Sequence, residues 1–267
     1  MAIFNMVGGK SEIITIKDRL CFTANTAWST IKLTKTGSPT AVTLETSTDG
    51  KNWSTYTFWD TITLTNIWDK VYWRNTSETD TGFTTWYSAY YKFVMTWSIA
   101  WSWDTNYLLN KNSTNTLTNY CYLYLFNNCT ALTAAPKLPS NILKDTCYRH
   151  MFQWCTWLVK APALPATTLA QQCCNSMFYW CSNLTNLPAL PAVTLALWCY
   201  YSMFYWCSKI KLSTSKTWDY QTTYRIPNSW TGTTASMSLN DMFTNTWWTF
   251  TWTPTINTAY YTSNTVV

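Results

Sequence analysis

Between about residues 11 and 105, apolar and polar positions alternate every second residue in six short segments: 12–16, 30–33, 41–45, 61–65, 70–74 and 91–95. A period of two sends successive side chains to opposite faces of a strand, so each segment predicts a half-buried β-strand. Turn signals such as Gly37-Ser-Pro and Asp49-Gly50 separate them. Short strands at this spacing predict a β-sandwich-like domain over 11–105, preceded by a tail over 1–10.

From about residue 106 the pattern becomes a repeat of 26 residues. Cys121, Cys147, Cys173 and Cys199 keep that interval, as do Cys129, Cys155, Cys181 and Cys207. Phe126, Phe152, Phe178 and Phe204 follow it, and so do the pairs Pro136/Pro139, Pro162/Pro165 and Pro188/Pro191. Within a unit, residues such as Leu169, Cys173, Met177 and Cys181 stand four apart, which predicts one buried face of a helix. A short strand-like run follows each second cysteine, and the proline pairs end it. One unit cannot bury its own face, so the units are expected to stack as a solenoid over 106–245. Met242-Phe243 reads as an irregular closing unit, with a cap or tail over 246–267. The eight repeating cysteines are expected to form a ladder of buried, mostly free thiols.

The run from Cys155 to Phe178, Cys-x-x-Leu-x-x-Ala-Pro-x-Leu-Pro-x-x-x-Leu-x-x-x-Cys-x-x-x-Met-Phe, resembles the BspA-type leucine-rich repeats of bacterial and phage surface proteins. The resemblance implies a multidomain chain: an all-β domain followed by an α/β leucine-rich-repeat solenoid of 26-residue units. It also implies adhesion or receptor recognition, and it brings no catalytic residues. In that family the residue before the second cysteine of a unit is commonly glycine. Here it is Asn128, Trp154, Trp180 and Trp206.

That departure changes the reading of the composition. The chain has 6 glycines and 19 tryptophans, whereas glycine ordinarily makes up about 7% of a protein. Several tryptophans stand where turn chemistry wants glycine: Trp68, the pair Trp101/Trp103, Trp230 and Trp247-Trp248. One explanation is that many are UGA codons, written as tryptophan but read as glycine by the source. Trp154, Trp180, Trp206, Trp247 and Trp248 are then suspected glycines, while Trp53 and Trp73 stand in strand-like contexts and read as genuine. The alternative is a truly aromatic-rich chain, in which Trp154, Trp180 and Trp206 form a column able to stack on sugars.

Charge and titratable residues narrow the chemistry. The net charge is +6, but charged residues are only 11% of the chain and the basic ones are scattered, which argues against nucleic acid as a partner. No apolar run reaches the 18 or so residues of a membrane helix, so no membrane insertion is expected. No secretory leader is visible, which leaves the cell surface, the extracellular space or a virion as expected settings. The single histidine, His150, is expected to be exposed and ordinary. No metal or cofactor is expected.

The favoured expectation is therefore a non-enzymatic recognition protein with a protein or glycan partner on a cell surface. Thr133, Lys160, Thr185, Asn186 and Lys211 are the expected contact positions, because alternate residues of the strand-like runs point outward. Two alternatives stay open. One is a carbohydrate-active enzyme using carboxylates of the β region, from Asp60, Asp69, Glu78, Asp80 and Asp104. The other is a purely structural assembly module.

Overall fold

A computed structural model describes residues 19–78, 82–102, 104–110, 116–226, 235–248, 253–256 and 258–267. The tail expected over 1–10 and the strand expected over 12–16 lie outside the described residues. In the first part of the chain run β1 (Leu20–Ala24), β2 (Ser29–Thr36), β3 (Leu44–Ser47), β4 (Ser54–Thr55), β5 (Ile62–Leu64), β6 (Lys70–Asn75), β7 (Tyr90–Thr96) and β8 (Ile99–Ser102). They form a five-stranded sheet in the order β4-β3-β6-β1-β8 and a three-stranded sheet in the order β5-β2-β7. All pairings in these two sheets are antiparallel, and β2 and β7 run in register from Thr30↔Thr96 to Thr36↔Tyr90.

The alternating strands bury every second residue, as in β6 and β7. Their apolar faces meet where Phe22 of β1 lies 5.0 Å from Phe93 of β7, with Trp73 and Trp101 also packed edge-on against Phe22. Trp73 is fully buried; truncating such a ring costs about 3–5 kcal/mol. Trp101, expected in a turn, is a core residue of β8. In the turn after β3, the Asp49 carboxylate accepts the N–H groups of Lys51 and Asn52, and Gly50 takes the left-handed φ of 72°.

The expected α/β leucine-rich-repeat solenoid is overturned. Among the described residues the only helix is one 3-10 turn, Thr105–Leu108, and the remaining regular structure is strand in small sheets. Residues spaced four apart are buried, as expected of a helical face, but consecutive tight turns carry them. Cys121, Leu123, Leu125, Asn127 and Cys129 donate their N–H groups three residues back, to Thr118, Tyr120, Tyr122, Tyr124 and Phe126. The residues between them, Tyr122, Tyr124, Phe126 and Asn128, donate instead to Cys147, Arg149, Met151 and Gln153 of the next row. Every fourth residue, such as Tyr120, Tyr124 and Asn128, has φ near +60°. An α-helix needs every φ negative and every N–H committed four residues back. Neither condition holds, yet the four-residue periodicity of side-chain direction is the same.

The rows that follow are bonded in the same way. Phe152 donates to Met177, Phe178 to Met203 and Phe204 to Met242, each at 2.9–3.0 Å. Met242-Phe243 thus carries the stacking onward across a longer connection. The strand-like runs between rows meet as single bridges, Ile99↔Leu132, Ala134↔Lys160 and Lys160↔Asn186, with β9 (Asn186–Leu187) the one short strand among the first three.

The rest of the chain adds β10 (Lys211–Ser213), β11 (Thr222–Ile226), β12 (Trp247–Trp248), β13 (Thr258–Thr262) and β14 (Thr265–Val266). Four of these form a sheet in the order β11-β13-β10-β12, while β14 returns to pair in parallel with β9. One continuous apolar core runs from Leu20 to Tyr260. Its spine is a file of six phenylalanine rings, Phe93, Phe126, Phe152, Phe178, Phe204 and Phe243, spaced 5.3–5.6 Å and tilted by no more than 8°. The first turn row therefore stacks directly on β7.

Candidate functional site

The thiols occupy the interior of the stack. All ten cysteines are free and buried. Four of them satisfy the backbone of the preceding layer: Cys129, Cys155, Cys181 and Cys207 donate to the carbonyls of Phe93, Phe126, Phe152 and Phe178 at 2.9–3.1 Å. The Phe126, Phe152 and Phe178 carbonyls already accept a backbone N–H within their own row, so the thiol is a second donor that ties one layer to the next without opening the core. Burial pushes Cys121 and Cys129 up to about 12 and raises Cys147, Cys155 and Cys181 well above the usual thiol value. A neutral thiol is neither a nucleophile nor a metal ligand. Cys174, expected to face elsewhere than its neighbour Cys173, is buried with it. We expect thiol reagents to leave the ladder of the folded protein unmodified, and unfolding without reductant to release all ten thiols. Titration of the unfolded chain checks this; a shortfall in pairs would reveal disulfides.

The tryptophan column does form: Trp154, Trp180 and Trp206 stack at 4.6 and 4.7 Å with planes within 20°. Stacked this closely, the rings cover one another's faces and turn their edges outward. A sugar packs on a ring face, and both faces of Trp180 are taken by its neighbours. Trp247 lies in the extended strand β12 and is exposed.

Of the expected contact positions, Lys160 and Asn186 are brought together by a bridge, and Thr185 lies beside them. Thr185 donates to the Val159 carbonyl, and Asn186 is covered by Thr265 of β14. Thr133 is held by Asn25 and the Ile99 carbonyl. Lys211 is exposed, but its strand lies between β13 and β12. Lys160 and Lys211 are thus the exposed members of the set.

Most described carboxylates have local partners. Glu45 pairs with Arg74 across β3 and β6 at 2.5 Å. Asp69 accepts the N–H of Asn66, and Asp104 caps the 3-10 turn. Asp145 bridges two rows by accepting the N–H of Gln171. Asp80 lies outside the described residues. His150, expected to be exposed, is instead partly buried and stacked on Tyr124 at 5.3 Å with planes 3° apart. Burial and the neighbouring Arg149 charge lower its pKa to about 3, so it is neutral at physiological pH. Among the described residues no group of three or more His, Cys, Asp or Glu side chains converges as for a metal, and no helix is long and apolar enough to cross a membrane.

A cavity lies where the sheets meet the first turn row. It is an open cleft of about 810 Å³, lined among others by Thr84, Trp86, Thr118, Asn119, Tyr120 and Lys144. A tight turn closed by the bridge Trp86↔Ala89 presents Trp86, whose ring is half exposed. Tyr120 packs against that ring at 5.0 Å and 61°, which fixes it from one side. Thr84 is anchored by its N–H to the Cys121 carbonyl, and its hydroxyl is buried without a partner. Asn119, which also lines the cleft, accepts the Asp145 N–H with its side-chain carbonyl oxygen. Sequence reasoning missed this cleft because its lining comes from four separated stretches of the chain, around Thr40, Thr84, Asn119 and Lys144.

No family model, no curated protein and no solved structure matches this chain. The resemblance to BspA-type repeats therefore rests on the recurring columns alone, and those columns build turns here.

Proposed function

We propose that the protein is a non-enzymatic recognition component that holds a glycan or protein partner on a cell surface, either as a surface protein or as part of a virion. The supporting observation is the cleft beside Trp86. Among the described residues its lining combines aromatic rings, hydroxyls, an amide and one ammonium group, with no carboxylate. Such a set packs the C–H face of a sugar on a ring and hydrogen-bonds its hydroxyls. Glycoside hydrolysis needs two carboxyl groups flanking the bond, and none is among the described residues that line the cleft. In the β region Glu45 is held in an ion pair, and Asp49, Asp69 and Asp104 accept backbone N–H groups of their own turns, which disfavours the enzymatic alternative.

The test is a glycan array together with binding to intact cells, using the wild type, Trp86→Ala and Lys144→Ala. We expect wild-type binding that falls at least about tenfold in Trp86→Ala, the loss of one aromatic anchor. Binding by the wild type that neither substitution alters would remove the cleft from the reading. Absence of binding to any glycan or cell, with incorporation into a particle, would establish the assembly role instead.

A further inference from the structure

We infer that glycine, not tryptophan, is the native residue at Trp28, Trp59, Trp68, Trp97, Trp154, Trp180 and Trp206. The inference rests on backbone conformation and is independent of the proposed recognition role. Before the turn rows begin, six described residues have left-handed φ: Gly37, Gly50, Trp28, Trp59, Trp68 and Trp97, at 59–79°. Glycine and tryptophan share these positions with no third residue type. A side chain at such φ brings Cβ against the following carbonyl, at about 1–2 kcal/mol per residue. Burial of the ring does not offset that cost, because these four rings are 66%, 55%, 72% and 63% exposed.

The turn rows carry the same signature. The position before the second cysteine is Asn128, Trp154, Trp180, Trp206 and, in the closing row, Asn245. All five have φ between 58° and 64°. Asparagine is the side-chain-bearing residue that best tolerates this conformation, after glycine. A column that holds only asparagine and tryptophan is therefore one that selects for glycine-like freedom. Trp198 is also left-handed, but its equivalents Tyr120, Thr146, Gln172 and Met237 are too, so conformation does not single it out.

Other tryptophans occupy the opposite environment. Trp73 and Trp101 are buried in strands at the centre of the core, and Trp53 lies under the guanidinium groups of Arg19 and Arg74. One residue name thus covers two incompatible roles. Two codons explain it: UGG for the buried, genuine tryptophans, and UGA, decoded as glycine by the source, for the left-handed ones. The stacked column of Trp154, Trp180 and Trp206 then vanishes in the native molecule and leaves a row of exposed backbone. Trp86 is not among the left-handed residues, so the backbone argument does not extend to the ring in the cleft.

Two measurements test the inference. In the coding DNA we expect UGA at all seven positions and UGG at Trp53, Trp73 and Trp101, with peptides from the native source carrying glycine at the seven. UGG at the seven positions overturns it. In the recombinant chain, replacing Trp28, Trp59, Trp68 and Trp97 together by glycine is expected to raise the urea midpoint, whereas Trp73→Gly lowers it steeply. A fall in the midpoint of the four-site variant also overturns it.

Discussion

Raising the pH to about 10 is expected to unfold the protein cooperatively, in reductant and at moderate temperature. The cause is the thiol ladder. Cys121, Cys129, Cys147, Cys155, Cys174, Cys181, Cys199 and Cys207 all have pKa values raised above the ordinary 9.0, chiefly by burial, with the hydrogen bond that the Cys174 thiol donates to Cys173 the leading cause at Cys174. In the unfolded chain each returns to its ordinary value and releases its proton above pH 9. A group whose folded pKa is raised contributes stability that is whole below the unfolded pKa and is lost as pH climbs towards the folded one. One pH unit above 9, each protected thiol favours the unfolded state by about 1.4 kcal/mol. Several such thiols together become comparable to the total stability of a typical domain, about 5–15 kcal/mol. Buried Tyr122, Tyr148 and Tyr200, also raised by burial, extend the loss above pH 10. Circular dichroism and tryptophan fluorescence followed from about pH 7 to 11 read the transition. A signal that stays native to pH 11 would show that the thiols are not dry.

Phe178→Ala is expected to cost about 4 kcal/mol, the second large effect. Phe178 is fully buried and sandwiched between Phe152 and Phe204, each at 5.6 Å with nearly parallel rings. Truncating a buried phenylalanine removes its transfer free energy and leaves a cavity, about 3–5 kcal/mol in all. Two stacking contacts add about 0.5–1.5 kcal/mol each where they are fully lost. The cavity cannot collapse easily, because the rows on either side are fixed by backbone bonds such as Phe178 to Met203. Phe178→Leu keeps most of the volume and is expected to cost much less. Urea denaturation of the three proteins measures the difference; a loss below about 1 kcal/mol for alanine would mean that the ring file is not the spine of the core.

Much of the burial pattern was legible in the residues. The segments 30–33, 61–65, 70–74 and 91–95 meet β2, β5, β6 and β7, because a two-residue alternation has only one backbone that realises it. Strands β1 and β8 were missed: Leu20–Ala24 is buried at nearly every position, so it shows no alternation. The cleft was invisible for a different reason. Thr84, Asn119 and Lys144 belong to separate polar loops, and a spacing rule cannot join loops that converge only when the first row packs on β7.

From the sequence alone followed the 26-residue register, the identity of the buried columns and the closing row at Met242-Phe243, since only residues that recur in step can lie above one another in a stack. The backbone that carries the columns was decided by the tertiary structure. A spacing of four is common to an α-helix and to a run of tight turns with a left-handed residue at every fourth position. What separates them is where the N–H groups go, and here half of them bond to the neighbouring row. That choice exists only once the rows are side by side.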